Sequence, residues 1–210
     1  MWWNELDLLE SKIQYLNKLH QSIMNKIYNK NEKIKKNIVI DETYGPVFIG
    51  IGTVISENVI IKGPVFIGEN SLIGNSVLIR GNTYIGNNVR LGFSTEVKNS
   101  IIEDNVSVGP QSFVADSKIE KNTYLAAQVR TSNHRLDKKN IHVFVNGSLV
   151  DTQKQKLGCL IGKGSTLGVQ VVILPGRIIA ENTVIGPKVL VEKNLASGKY
   201  FLKQEIIKNI

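Results

Sequence analysis

The sequence has one cysteine, Cys159, among 210 residues. A lone thiol excludes an internal disulfide framework and a zinc site built on cysteines. Histidine is scarce too: His20, His134 and His142 are the full set. Their spacing matches no metal-ligand pattern, so no metal is expected. Aromatic residues make up 7% of the chain and are not interleaved with basic runs. With no helix-turn-helix or RNA-binding signature, that argues against nucleic acid as a partner. No apolar run approaches the ~18–20 residues of a spanning helix. The opening MWWNELDLLE lacks a basic segment followed by an apolar one. Neither membrane association nor a secretory signal is expected, and the expected location is cytoplasmic. Acidic residues are the minority, 18 against 26 Lys and Arg, for a formal charge of +8. That surplus is dispersed, and it fits either a solvated positive surface or a small anionic ligand such as a phosphate or a nucleotide cofactor. Hydrophobic residues reach 42%, so the chain can bury the core of one domain with a small appendage.

What the chain has in abundance is a repeat. An aliphatic residue recurs every six positions at Ile49, Ile55, Ile61, Ile67, Ile73, Ile79, Ile85, Leu91 and Val97. Thr, Val or Ser follows four residues later, as at Thr53, Val59, Ser71 and Val77. The series continues through Ile102, Val108, Ile119 and Leu125 with two five-residue slips, then resumes from Ile161 to Val191. Such hexads build a parallel β-helix in which three of them form one 18-residue coil. Each aliphatic residue points inward, and Gly or Asn tolerates the corner backbone. The expected fold is all-β, a left-handed parallel β-helix, with the handedness taken from likeness to other strict hexad prisms. The prism is expected over residues 37–196, between an N-terminal helix and connector at 1–36 and a tail at 197–210.

Two segments depart from the repeat. Leu6, Leu9, Ile13, Leu16, His20, Ile23 and Ile27 alternate spacings of three and four, which is a heptad seam. The helix either packs on the prism or caps its first coil, or it serves self-association or a partner. The second departure runs from about Thr131 to Cys159. Within it, His142 to Val150 alternates around Asn146-Gly147, a hairpin signal. An excursion of this length from a rigid scaffold is where binding or catalytic residues are expected.

The coil period also places charge. Lys62, Arg80 and Lys98 lie 18 positions apart, so they stack on one face at about 4.8 Å per strand. Three such cations repel unless water, a carboxylate such as Glu96, or a bound anion separates them. The ladder is therefore either hydrated near Glu96 or an oxyanion site. His134, beside Asn133, has the chemistry of an acid or base; a solvent-exposed loop histidine is the plainer alternative. Cys159 abuts the returning repeat and reads as a small buried residue.

The stretches IRGNTYIGNNVRLGFSTEVKNSIIEDNVSVG, SNHRLD and DTQKQKLGCLIGKGSTLGVQVVILPG resemble the C-terminal prism of the bifunctional sugar-1-phosphate nucleotidylyltransferase/acetyltransferase family. The resemblance runs from roughly Tyr44 to Val191 and extends to a linker-like Leu6-Asp7-Leu8-Leu9. It implies a homotrimer that uses acetyl-CoA as co-substrate and acetylates a sugar phosphate or nucleotide sugar. It places Arg80 and Lys98 in the sugar-phosphate clamp, with Lys62 next in the ladder. Asn133 falls on a substrate-binding or oxyanion-supporting asparagine, and Lys154 and Lys156 on basic positions. Lys188 and Lys193 are candidates for the phosphates of acetyl-CoA in a cleft between prisms. The catalytic coil departs from the family pattern H-L-x-Y-x-G-D-S. Here it reads Pro110-Gln111-Ser112-Phe113-Val114-Ala115-Asp116-Ser117. The general-base histidine has become Pro110, the tyrosine Phe113, and a sugar-binding asparagine Tyr124. His134 is then the histidine left to act as base. The nucleotidylyltransferase domain is not in this sequence, so nucleotidyl transfer is not expected of it alone. Two functions stand: an acyltransferase of altered substrate, or an inactive sugar-phosphate-binding trimer that docks its helix on a separate nucleotidylyltransferase.

Overall fold

A computed structural model describes residues 1–16 and 37–203. The repeat winds into a left-handed parallel β-solenoid of about nine turns. Its three faces are parallel sheets of eight, seven and eight strands, which begin with Val39–Asp41, Val47–Ile49 and Val54–Ile55 respectively. Register follows the hexads: Ile61 lies beside Ile79, Ile67 beside Ile85 and Ile73 beside Leu91. The inward residues form one continuous core from Val47 to Val191, nearly all of it closed to solvent. Small hydroxyl residues fill beside them and bind the neighbouring coil, as Thr53 Oγ1 does by donating to the Gly68 carbonyl at 2.7 Å.

Corners need left-handed backbone, and side chains that tolerate it recur there on the hexad spacing: Asn58, Asn70, Ser76, Asn82, Asn88, Ser94, then Asn99, Asn105 and Gln111, Asp116. The two five-residue slips are the steps 94–99 and 111–116. Both fall at the corner between the first face and the second, so successive coils there are 17 residues long: Val97 pairs with Val114, and Ile102 with Ile119. One coil later the chain leaves the prism at this same corner. Thr131 is the last first-face residue before the excursion, and Leu160–Ile161 the next second-face strand.

The excursion is ordered by its own pairing. His142–Val145 and Ser148–Asp151 form the antiparallel hairpin expected around Asn146-Gly147. Below it, His134 bridges Lys156, and the Leu157 amide donates to the Asn133 carbonyl at 3.0 Å. The expected N-terminal helix begins at Asn4–Asp7 and resumes over 9–16. It lies on the flank of the second face rather than over the first coil. Trp3, Leu6, Leu9 and Ile13 are buried with Ile101 of that face and with Ile141, Val143 and Leu157 of the excursion. Lys118 Nζ reaches Glu5 at 2.9 Å, Lys154 meets Asp7, and the Lys12 ammonium sits 4.9 Å from the Tyr84 ring centre. Burial works against the Lys118 charge, but Glu5 and Glu103 outweigh it and hold its pKa above the ordinary lysine value. His20, Ile23 and Ile27 of the seam lie outside the described residues. At the other end, Lys199–Tyr200 pairs with Val184–Ile185, so the third sheet runs into the stretch read as tail.

Candidate functional site: a shortened corner and two clefts

The cation ladder forms as a register. Arg80 pairs with Lys98, and Ile61 with Ile79, which sets Lys62 beside Arg80 on the first face; Asp41 stands opposite Lys62. Carboxylates accompany each cation. Glu96, diagonal to Arg80 across the strand pair, meets it at 3.0 Å and leaves the nearer-numbered Lys98 to another partner. Lys98 turns instead to Asp116 at 3.5 Å. The Arg80 and Glu96 side chains are 50% and 32% exposed, so that pair is worth about 0–1 kcal/mol and exchanges readily for a stronger anion. Lys62 and Arg80 line an open cleft of about 520 Å³ with Tyr44, Pro64 and Asn82. Asn82 Oδ1 is buried there without a hydrogen-bond partner among the described residues. It is an acceptor that a hydroxyl or amine donor would satisfy.

Asp116 is the residue that sequence reasoning passed over. It occupies the corner position stacked between Asn99 and Asn133, and its carboxylate is 7% exposed. Asn99 Nδ2 donates to one oxygen at 2.6 Å and Asn133 Nδ2 to the other at 2.5 Å, with Lys98 Nζ alongside. Three donors converge on one carboxylate, which gives both of its oxygens partners in place of water. The signal was present: in the motif that lost its histidine, Asp116-Ser117 is the part retained. Asn133 thus joins the Lys98 corner. His134, next in sequence, is exposed and lines a different pocket, of about 580 Å³, with Arg135, Leu136, Leu174 and Arg177. Lys188 and Lys193 are exposed and flank Leu190–Val191, the last strand of the first face. That is four strand spacings, roughly 19 Å, beyond Lys98, so they do not share its site.

The position of the family's histidine is chemically quiet. Pro110 packs on Gly92, where an added Cβ would meet its nitrogen at 2.6 Å. Beside it, Gln170 donates to Gln128 and Gln128 to Gln111, a neutral amide ladder along the corner. The adjoining cleft of about 430 Å³ is lined by Glu96, Gln111, Phe113 and Arg130. Cys159 is fully buried, and burial pushes its thiol up to about 12 despite a hydrogen bond with Ser117. It is not a nucleophile. Among the described residues, no three His, Cys, Asp or Glu side chains cluster in a way that would hold a metal ion. No helix there is long and apolar enough to cross a membrane.

Comparison with known proteins follows the same lines. The profile of a family described as the GMPPB C-terminal domain matches residues 61–195. The uncharacterized acetyltransferase YaiX of Escherichia coli O6:K15:H31 (strain 536 / UPEC) is 48% identical over 99% of this chain and 89% of its own length. The bifunctional protein GlmU of Methanococcus maripaludis (strain C7 / ATCC BAA-1331) is 38% identical over 97% of this chain, which spans 48% of that protein. Among solved structures, a UDP-N-acetylglucosamine acyltransferase from Campylobacter jejuni shares the fold, with a TM-score of 0.60 over 79% of this chain and 69% of that one at 14% identity.

Proposed function

The chain belongs to the GMPPB C-terminal domain family, with an acetyltransferase-named relative along almost its whole length, and from that premise we propose that it is an acyltransferase. Its reaction would move an acetyl group from acetyl-CoA to a sugar phosphate or nucleotide-linked amino sugar. The observation that carries this reading is the shortened corner, where Lys98, Asn99, Asp116 and Asn133 are fixed together one strand from an exchangeable Arg80.

Each residue has a role in that scheme. Arg80 releases Glu96 and, with Lys62, takes the acceptor's phosphate. A guanidinium forms two parallel bonds to a phosphate, stronger than its surface pair with one carboxylate. Asp116 holds Lys98 and Asn133 in place, so their donors are positioned before the acceptor arrives. The acceptor nitrogen or oxygen attacks the thioester carbonyl carbon, the C–S bond breaks with its electron pair on sulfur, and the proton lost by the acceptor ends on the departing thiolate, giving the free thiol. Pro110 has no part in that proton transfer. His134 is the base candidate, and an amine acceptor already deprotonated by solvent needs chiefly proximity. Lys188 and Lys193, far along the face, are assigned to acetyl-CoA in a cleft between prisms of a homotrimer.

Pro110 and Phe113 favour a second reading, a binding module that holds a sugar phosphate without turning it over. In that reading a separate nucleotidylyltransferase would have to dock on the helix beyond Ile13, because Leu6, Leu9 and Ile13 are occupied by the prism. Thiol release from acetyl-CoA with a panel of amino-sugar 1-phosphates and nucleotide-linked amino sugars separates the two. The transferase gives turnover that Arg80→Ala abolishes and, with His134 as base, His134→Ala lowers by about 10²–10⁴-fold. Folded protein that releases no thiol with any acceptor is the binding module.

A further inference from the structure

The pocket that His134 lines contains none of the cations of the proposed phosphate clamp, and it has an arginine of its own. Arg177 lines it, half-buried, together with the exposed Glu192. Its Nε donates to the Pro175 carbonyl at 3.1 Å, Nη1 to the Glu192 carbonyl at 3.3 Å and Nη2 to the His142 carbonyl at 3.4 Å. All three acceptors are neutral, and Arg177 enters no ion pair among the described residues. The nearby Asp137 is engaged by Arg135 at 2.6 Å. Burial first, and the like charge of Arg135 second, make Arg177 a less comfortable cation than an ordinary arginine. A guanidinium carries five N–H donors; with one engaged at each nitrogen, one remains on Nη1 and one on Nη2. Two free donors on separate nitrogens are what two-point binding of a carboxylate or phosphate requires. The pocket walls are apolar at Leu174, Pro175 and Leu136, and the Leu136 side chain is fully exposed.

We infer that this pocket is a second oxyanion site, anchored by Arg177 and separate from the Arg80–Lys98 corner, for a phosphate or carboxylate carried on a short apolar stem. The three carbonyl bonds hold the guanidinium in place from the prism and the excursion together. Arg135, bonded through Nε and Nη2 to the two oxygens of Asp137, keeps that carboxylate from the Arg177 guanidinium. Lodging of the stem against Leu136 would give that exposed side chain a function. The inference does not depend on acyl transfer.

Titration calorimetry of the full chain with hexyl phosphate and with hexanoate, at low salt, tests it and tells the two anions apart. In Arg80→Ala, which lacks the proposed phosphate clamp, at least one probe is expected still to bind at one site per chain. Its affinity should fall at least tenfold in Arg177→Gln and by a smaller factor in Arg177→Lys, which keeps the charge but not the fork. Leu136→Asp places a negative charge at the mouth without touching the fold, and should weaken binding several-fold. Binding by neither probe to the folded protein, binding that survives Leu136→Asp and Arg177→Gln alike, or binding lost in Arg80→Ala would each overturn the assignment. If Arg177→Gln does not fold, Leu136→Asp decides alone.

Discussion

The coils from Val47 to Val97 and the coils from Lys98 to Cys159 are built of the same hexads, yet they differ in what their corners carry. In the first group every coil has 18 residues, the corners hold Gly, Asn or Ser, and the interior is aliphatic. In the second, one residue is dropped twice at a single corner, and at the third passage the chain leaves for the excursion. The regular group is a scaffold in which each coil repeats its neighbour. The irregular corner is where neighbours cease to be equivalent, and there a buried carboxylate, two amides and a lysine converge. Periodicity supplies stability, and its local failure supplies a site.

Substitutions that remove one side of this contrast should have the largest effects. Asp116→Ala leaves the Lys98 charge mostly buried and two amide donors unpaired. It should cost about 3–5 kcal/mol in urea unfolding and abolish sugar-phosphate binding. Ile79→Ala, in the regular stack, should cost a comparable ~2–5 kcal/mol but leave affinity per folded molecule unchanged. Equal loss of affinity in both variants would erase the distinction between scaffold and site.

Two glycines sharpen it at lower cost. Gly158 closes the excursion onto the corner, where an added Cβ would meet Ser117 Oγ at 2.0 Å and the Ala115 carbonyl at 2.2 Å. Gly158→Ala should destabilise by about 1–3 kcal/mol and disturb the Asp116 cluster. Gly147, at the hairpin tip, has open space but a φ of +79°. Gly147→Ala should cost only about 1–2 kcal/mol of backbone strain and leave binding intact. Denaturant midpoints and sugar-phosphate titration on both variants check the pair.

The contrast has a pH signature as well. Burial raises the Cys159 thiol to about 12 from its ordinary 9.0. A group whose folded pKa is raised contributes stability that is full below the unfolded value and is lost as pH climbs toward the folded one. Urea midpoints should therefore contain a decline between about pH 9 and 12 that Cys159→Ala lacks. Iodoacetamide should label the thiol only as fast as the chain unfolds. Rapid labelling of native protein would contradict this.

Much of this was legible in the sequence. Ile61, Ile79 and Val97 announced the inward stripe, the 18-residue interval set Lys62, Arg80 and Lys98 in register, and Asn146-Gly147 gave the hairpin. Ion pairing was less legible. Glu96 was expected near the ladder, but that it meets Arg80 on the neighbouring strand was not. Asp116 was visible as a retained residue, yet its role depends on Asn99 and Asn133 one coil to either side. Arg177 was invisible, because its acceptors at His142 and Glu192 come from an excursion and a coil 35 and 15 residues away. Repeats report what neighbours share; contacts between dissimilar coils have no sequence period.

The most direct measurement is calorimetric titration of glucosamine 1-phosphate into the purified wild-type chain and into Arg80→Ala and Asp116→Asn. Wild-type protein is expected to bind, with affinity reduced at least tenfold in Arg80→Ala. Asp116→Asn should also lose affinity, since its amide faces two amide donors and no longer fixes Lys98. Undiminished binding in both variants, or none in the wild type, would contradict the shortened corner as the site.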